Sequence, residues 1–397
     1  MKRLLLLILT ISLPAMLRAQ KEAVIAQGPY IQACGQNEFT VVWQTDVDAV
    51  SWVEIAPDDG THFYNIERPK YYQTIHGRRP IGRLHCVTVT GLEPGTKYRY
   101  RIFQRAVLSN QGRVRVLYSA PYGSDILSHK PYCVRTLDAA AQTTRFAVGN
   151  DFHEAPDLLR KLFDRETVNA DNYDFVLYNG DMVTSIDSEE YLLQNVITPS
   201  VDAFAADMPL FMARGNHENR GQWGTHYMDY FPTSSGTPYY TFRSGPAFCI
   251  VLDGGEDKPD SDIRNLDLMI SDPYREQEAE WLRGVVSSEE FRSAPVRIVF
   301  LHMPPSPKGW HGGAEISRLF VPILNQAGID LVLSAHIHGY KLYPAGHKST
   351  GCAFPVLCNP NRTRMDVEAT AGRIKCDIYD KEGKLTHSDT FATGQRR

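Results

Sequence analysis

Six short apolar runs, RFAV, DFVLY, PLFMA, AFCIVL, VRIVFL and DLVLS, punctuate the chain between Arg145 and Ser334. Each has the length of a buried strand, and amphipathic segments such as APDLLRKLFDRETV, EQEAEWLRGVV and EISRLFVPILNQAG stand between them. The alternation predicts an α/β domain, which we place at residues 145–394. The residues that follow the runs read, in order, GNDFHE, NGDMVTS, RGNHENR, DGGED, HMPPSP and AHIHG. Five of these six tails carry His, Asp or Asn in a form suited to metal binding. Ligands of open α/β sheets bind beyond the carboxyl ends of the strands, so the tails can converge on one crevice. In the last of them His336 and His338 stand one residue apart, and an extended chain projects both rings to the same side.

The chain before this domain has another texture. From about Gly28 it runs through FTVVWQT, SWVEIAP and HCVTVTGLEPGTKYRYRIF, rich in β-formers and turn residues and without helical periodicity. This predicts an all-β sandwich over residues 28–137 with DAAAQTT as the linker. The stretch GLEPGTKYRYRI resembles a fibronectin type III domain at Leu92, Pro94, Gly95, Thr96, Tyr98 and Tyr100, where that family places a tyrosine corner. At the start, Lys2 and Arg3 precede an apolar run from Leu4 to Leu13 that is too short to span a bilayer. Residues 1–19 therefore read as a signal peptide of a secreted or periplasmic protein, with no integral membrane segment in the mature chain. Losing Lys2, Arg3 and Arg18 would take the formal charge from −4 to −7. An acidic surface argues against nucleic-acid binding. The seven cysteines show no zinc-finger spacing, and export permits a disulfide without saying which.

Taken one at a time, the residues of the tails have ordinary readings. Asp151 and Asp181 suit turns or helix caps, Asn216 a turn, and His302 a strand end. Together they have no packing reason to gather imidazoles and carboxylates at separate strand ends. The ordered blocks Asp151-x-His153, Gly180-Asp181, Gly215-Asn216-His217-Glu218, His302 and His336-x-His338 resemble the calcineurin-like metallophosphoesterases. The β-rich N-terminal domain makes the whole resemble their purple-acid-phosphatase-like branch. The resemblance implies two mixed sheets packed face to face with flanking helices. It also implies two divalent or mixed-valence metal ions (Fe, Mn or Zn), held by Asp151, His153, Asp181 and His338 and by Asp181, Asn216, His302 and His336, with Asp181 bridging.

The chemistry suits those residue types. A phosphate ester is an anion that repels hydroxide, and two cations about 3.5–4 Å apart neutralise it, orient it and supply the attacking hydroxide. A bridging carboxylate can turn each oxygen to a cation, while Asn216 ligates through its amide oxygen. The resembled family aims the residue in the position of His217 at the phosphoryl group and the leaving oxygen, a catalytic rather than a ligand role.

Two positions depart from the pattern. Thr184 stands where purple acid phosphatases carry the tyrosine that colours their iron and where calcineurin-type phosphatases carry an aspartate that supports the catalytic histidine. No tyrosinate colour is expected, and His217 must find another partner or none. Ala335 replaces the glycine that usually precedes the His-x-His pair, which matters only if the backbone there needs positive φ. Arg214 reads equally as a phosphate contact or an ion-pair partner, His311 as a loop histidine near the substrate mouth or in solvent, and Asp253 as structural. The expected function is hydrolysis of a small phosphorylated substrate, a monoester, by metal-hydroxide attack. The alternatives are a phosphodiesterase using the same site and a secreted β-sandwich binding protein whose metal site only stabilises the fold.

Overall fold

The computed structural model describes residues 22–394, so the predicted signal peptide lies outside the described residues. Among the described residues no helix is long and apolar enough to cross a membrane.

The N-terminal domain is β-rich and is organised by one strand, Glu38–Pro57. Its first half pairs antiparallel with Ile25–Gln32 and Gly82–Thr90, its second half with Lys97–Asn110. The register shifts between Gln44 and Ala49, and the irregularity lets a single eight-stranded hydrogen-bonded sheet fold into two facing layers. Phe39 of the first half faces Tyr100 across the interior, ring centroids 6.1 Å apart. Tyr98 hydroxyl accepts a hydrogen bond from the Glu93 amide at 3.0 Å, the backward contact of a tyrosine corner. All seven cysteines are free.

His85 in this domain gives a pH test. It is 2% exposed, with Nε2 2.9 Å from Thr45 Oγ1, and burial pulls its pKa down to about 4. The folded state thus binds fewer protons than an unfolded chain in which histidine titrates near 6.5. The resulting stability is fully present above that value and is lost as the pH falls towards 4, by about 3 kcal/mol. Denaturant midpoints at pH 7 and pH 4.5 should fall less for His85→Gln than for the wild type.

Residues 143–392 build two six-stranded mixed sheets. In the first, Thr143–Gly149, Phe175–Asn179 and Leu210–Ala213 run parallel, and Arg364–Thr370, Arg373–Tyr379 and Leu385–Ala392 extend it antiparallel. In the second, Ala247–Leu252, Val296–Leu301, Leu331–Ser334 and Val356–Cys358 run parallel between antiparallel edges Tyr240–Ser244 and Lys341–Tyr343. Side-chain alternation sorts the residues into layers. Phe146, Val148, Phe175 and Leu177 point between the sheets and meet Cys249, Val251, Ile298, Phe300, Leu331 and Leu333. Ala147, Val176 and Tyr178 face outward under Pro156–Leu162 and the helical segment around residues 189–205. Ile250, Val299 and Val332 face outward under Ser271–Ser287, His311–Leu319 and Val321–Ala327. Phe175–Asn179, Leu210–Ala213, Ala247–Leu252, Val296–Leu301 and Leu331–Ser334 are buried on both faces, which is why their sequences read as unbroken apolar runs.

The two domains share a core, because Trp43 and Ile102 belong to the same apolar cluster as the inter-sheet residues. Polar contacts fix the junction: Tyr30 hydroxyl donates to the Tyr230 carbonyl at 2.8 Å, and Tyr100 hydroxyl to the Ala206 carbonyl at 2.5 Å.

Candidate metal centre

Five parallel strands from the two sheets end at one place. Asp151 and His153 follow Thr143–Gly149, Asp181 follows Phe175–Asn179, Asn216 and His217 follow Leu210–Ala213, His302 follows Val296–Leu301, and His336 and His338 follow Leu331–Ser334. The sheets are tied together there: Asn179 Nδ2 donates to the Leu333 carbonyl at 3.1 Å, and His302 Nδ1 lies 2.7 Å from the Asn179 carbonyl. Six non-glycine residues at this edge, Asp151, His153, Glu154, Asp181, His336 and His338, have left-handed backbone, with φ between 42° and 67°. Such residues cost about 1–3 kcal/mol each, and a cluster of them marks a functional site. Ala335 is not among them, so the missing glycine costs nothing there.

Two glycines are required by close approach. A Cβ on Gly180, whose φ is +83°, would come within 2.6 Å of His302 Nδ1 and 2.7 Å of Gly215 Cα. One on Gly215 would come within 2.5 Å of the Asp181 amide. The GD and GNHE blocks need these glycines to let the two turns touch.

The ligand atoms fall into two groups that could each hold a cation, Asp151 with His153 and His338, and Asp181 with His302 and His336. In the first, His338 Nε2 lies 3.3 Å from Asp151 Oδ1 and from His153 Nε2. In the second, His302 Nε2 lies 3.0 Å from Asp181 Oδ2, and Asn216 Oδ1 3.0 Å from His336 Nδ1. His302 Nε2 is also 4.0 Å from Asp151 Oδ1, so the groups adjoin. Asp181 Oδ1 accepts the His217 amide at 3.0 Å, which leaves Oδ2 as the oxygen turned to the imidazoles. The two oxygens therefore differ in their protein partners.

Burial decides what this arrangement needs. Asp151, Asp181, Asn216 and His302 are at most 1% exposed; Asn216 Nδ2 has no hydrogen-bond partner, and Asp151 Oδ1 and His302 Nε2 meet His338 and Asp181 only as charged neighbours, without an aligned hydrogen bond. Buried polar atoms left unpaired are costly, and native structures keep them for a reason. Without cations the site leans on its own charges. Burial opposes a charge on His302, but Asp181 outweighs it and holds the imidazole well above its usual pKa, while His302 in turn holds Asp181 low. Burial, helped by the neighbouring His302, pulls His336 down to about 4, leaving it the neutral imidazole a metal binds. The residues fit a pair of cations.

Glu218, a member of the GNHE block, accepts the backbone amides of Asp181 at 2.9 Å, Met182 at 2.7 Å and Gly215 at 2.8 Å. It fastens the two ligand-bearing turns to each other. Sequence reading gave it no role, because its partners are main-chain donors and nothing in the residue pattern announces them.

His217 finds its partner in the backbone. Nδ1 lies 2.7 Å from the Thr184 carbonyl, so the side chain at position 184 is free to vary, and Nε2 points inward, 3.8 Å from Asp181 Oδ2. Thr184 is itself held by Glu154 through its amide and hydroxyl. Arg214 turns away from the site and pairs with buried Asp253, Nε to Oδ2 at 2.8 Å, and Tyr274 hydroxyl binds the same oxygen at 2.7 Å. Asp253 is thus structural and Arg214 its ion-pair partner. His311 opens the helix His311–Leu319 and sits 2.8 Å from Asp272, so it is neither in a loop nor solvated alone.

The sequence family of calcineurin-like phosphoesterases matches residues 144–340, and that of the purple acid phosphatase N-terminal domain matches residues 27–116. The chain thus carries a calcineurin-like phosphoesterase domain behind a purple acid phosphatase N-terminal domain. These domains make this phosphoesterase a metal-dependent phosphoric ester hydrolase with the two-domain build of the purple acid phosphatases. It is 22% identical over 343 residues to purple acid phosphatase 18 of Arabidopsis thaliana, covering 81% of this chain and 67% of that one. With purple acid phosphatase 21 of the same plant it shares 20% over 339 residues, covering 80% and 66%. The phosphoesterase thus spans about two thirds of the length of these relatives. Its fold is similar to that of a purple acid phosphatase isolated from yellow lupin (Lupinus luteus) seeds, with a TM-score of 0.63 at 13% identity, covering 92% of this chain and 74% of that one.

Proposed function

We propose that this phosphoesterase hydrolyses phosphate monoesters at a two-metal site. The observation that carries the reading is the pair of adjoining, buried Asp/His groups whose candidate ligand atoms face one another at about hydrogen-bond distance, with Asp151 Oδ1 and His302 Nε2 making no aligned hydrogen bond. Asp151, His153, Asp181 and His338 would hold one cation and Asp181, Asn216, His302 and His336 the other, with Asp181 common to both sets. When bound, the two cations supply charge neutralisation and an activated water. The chain does the rest. Glu218 and the left-handed turns fix the ligand geometry, and His217, steered by the Thr184 carbonyl, directs Nε2 at the side where an ester would dock and can protonate the departing oxygen. The similarity to two proteins named as phosphatases supports monoesters over diesters. Residues 28–137 and 145–394 are the proposed domains.

A screen of metal-stripped protein reloaded with Fe, Mn or Zn tests the reading, using an alkyl phosphate, 4-nitrophenyl phosphate and its bis-ester. Metal-dependent turnover with higher kcat/KM on the monoesters is expected. Activity indifferent to chelation would overturn it, and faster cleavage of the bis-ester would move the assignment to a phosphodiesterase. Export is proposed from the Lys2-Arg3 start and the short apolar run, and N-terminal sequencing of the native protein should find a start near Gln20.

A further inference from the structure

Arg220 lies four residues beyond Asn216 and belongs to neither ligand group. Its carboxylate contacts all lie on one side of the guanidinium. Nε donates to Glu256 Oε2 at 2.9 Å, and Nη2 donates to Glu256 Oε1 at 2.7 Å and to Asp257 Oδ1 at 3.0 Å. Glu256 is fully buried, so this two-pronged pair anchors the arginine firmly. The remaining nitrogen, Nη1, faces His217, 3.1 Å from both ring nitrogens. Equal distances place it over the side of the ring rather than in line with one lone pair, and Nδ1 is already engaged by the Thr184 carbonyl. Nη1 thus presents donor hydrogens and positive charge, with no carboxylate of its own, beside the His217 Nε2 edge, which is 3.8 Å from Asp181 Oδ2. The side chain is 26% exposed.

We infer that Arg220 is a specificity-determining residue whose Nη1 binds an oxygen of the substrate phosphoryl group and selects dianionic monoesters over monoanionic diesters. The inference rests on the proposed phosphoesterase site, since it takes His217 as the docking edge. A fixed guanidinium adds a third cation beyond the proposed metal pair, and the second negative charge of a monoester is what it can reward. A diester has one charge fewer and an extra ester group where that oxygen would sit. Lys258 does not compete for the role, because its ammonium pairs with Glu256 at 3.2 Å and also contacts Asp257.

The test compares Arg220→Met with wild type on 4-nitrophenyl phosphate and bis(4-nitrophenyl) phosphate, with bound metal and inorganic phosphate affinity measured in parallel. A charge-assisted hydrogen bond is typically worth about 10–100-fold in affinity. Arg220→Met should lose that factor in kcat/KM on the monoester, mainly through KM, and weaken inorganic phosphate by a similar factor. The diester should change less than about threefold and metal content should hold. Equal losses on both esters, falling on kcat, would make Arg220 a positioning residue for His217 and overturn the inference, as would no loss on either. Arg220→Met strips buried Glu256 of its main partner, so Arg220→Met/Glu256→Gln provides a second variant held to the same outcomes. If the wild type cleaves neither ester with any metal, the phosphoesterase reading fails. Phosphate affinity then judges Arg220 separately: unchanged affinity in the variant refutes it.

Discussion

Asp181→Ala is expected to bring the metal content of the loaded protein from two ions per chain to below one, with turnover falling on the order of 10³-fold or more, the scale of removing a central electrostatic group. The reason is position. Its carboxylate is buried, 3.0 Å from His302 and 3.8 Å from His217, in an Asp/His group that adjoins the other, with His302 Nε2 4.0 Å from Asp151 Oδ1. The same substitution removes the charge that holds His302 protonated in the metal-free protein. Elemental analysis and single-turnover rates on one preparation check the prediction. A variant that keeps both ions would show that Asp181 does not bridge.

His217→Ala should behave differently, losing activity and not metal. General acid help is typically worth about 10²–10⁴-fold, and the full loss should appear with an alkyl phosphate, whose alkoxide needs a proton to leave. It should be smaller with 4-nitrophenyl phosphate, whose leaving group departs without one. Metal content should stay at the wild-type level, because His217 Nδ1 is committed to the Thr184 carbonyl and the ring stands outside both ligand groups. Thr184→Ala should leave this behaviour nearly untouched, since the main chain supplies the contact. If His217→Ala turns over the alkyl phosphate at near wild-type rate, the acid role is wrong, and if it sheds metal the residue belongs to the coordination shell.

What could be read from the residues and what could not divide along physical lines. The six apolar runs are strands buried on both faces, and burial of that kind writes itself into composition. Tyr240–Ser244 and the strands after Ser334 were not legible, because several alternate between buried and half-exposed residues, as in Arg364–Thr370, and look like polar coil. The segment 189–205 escaped as well. It winds through two π-helical turns on either side of Thr198–Ser200, which blurs the helical period.

At the site, the block of ligands was visible because each residue type carries its chemistry in its side chain. Residues whose work is done on the backbone were not visible in that way. Glu218 binds three amides, and Asn150 joins Asp151 to the Asn359 carbonyl of a distant segment, at 2.8 and 3.2 Å. Thr184 shows the converse, a departure in side chain that the fold neutralises through a carbonyl. Arg220 was hidden by distance, since its anchor Glu256 lies 36 residues along the chain.

The central claim is that two cations share this cluster of buried carboxylates and imidazoles. Anomalous scattering from crystals of the metal-loaded protein measures it most directly. The account predicts two peaks per chain, one among Asp151, His153 and His338, the other among Asn216, His302 and His336, with Asp181 common to both sets. A single peak, or peaks elsewhere with these side chains unliganded, would contradict it.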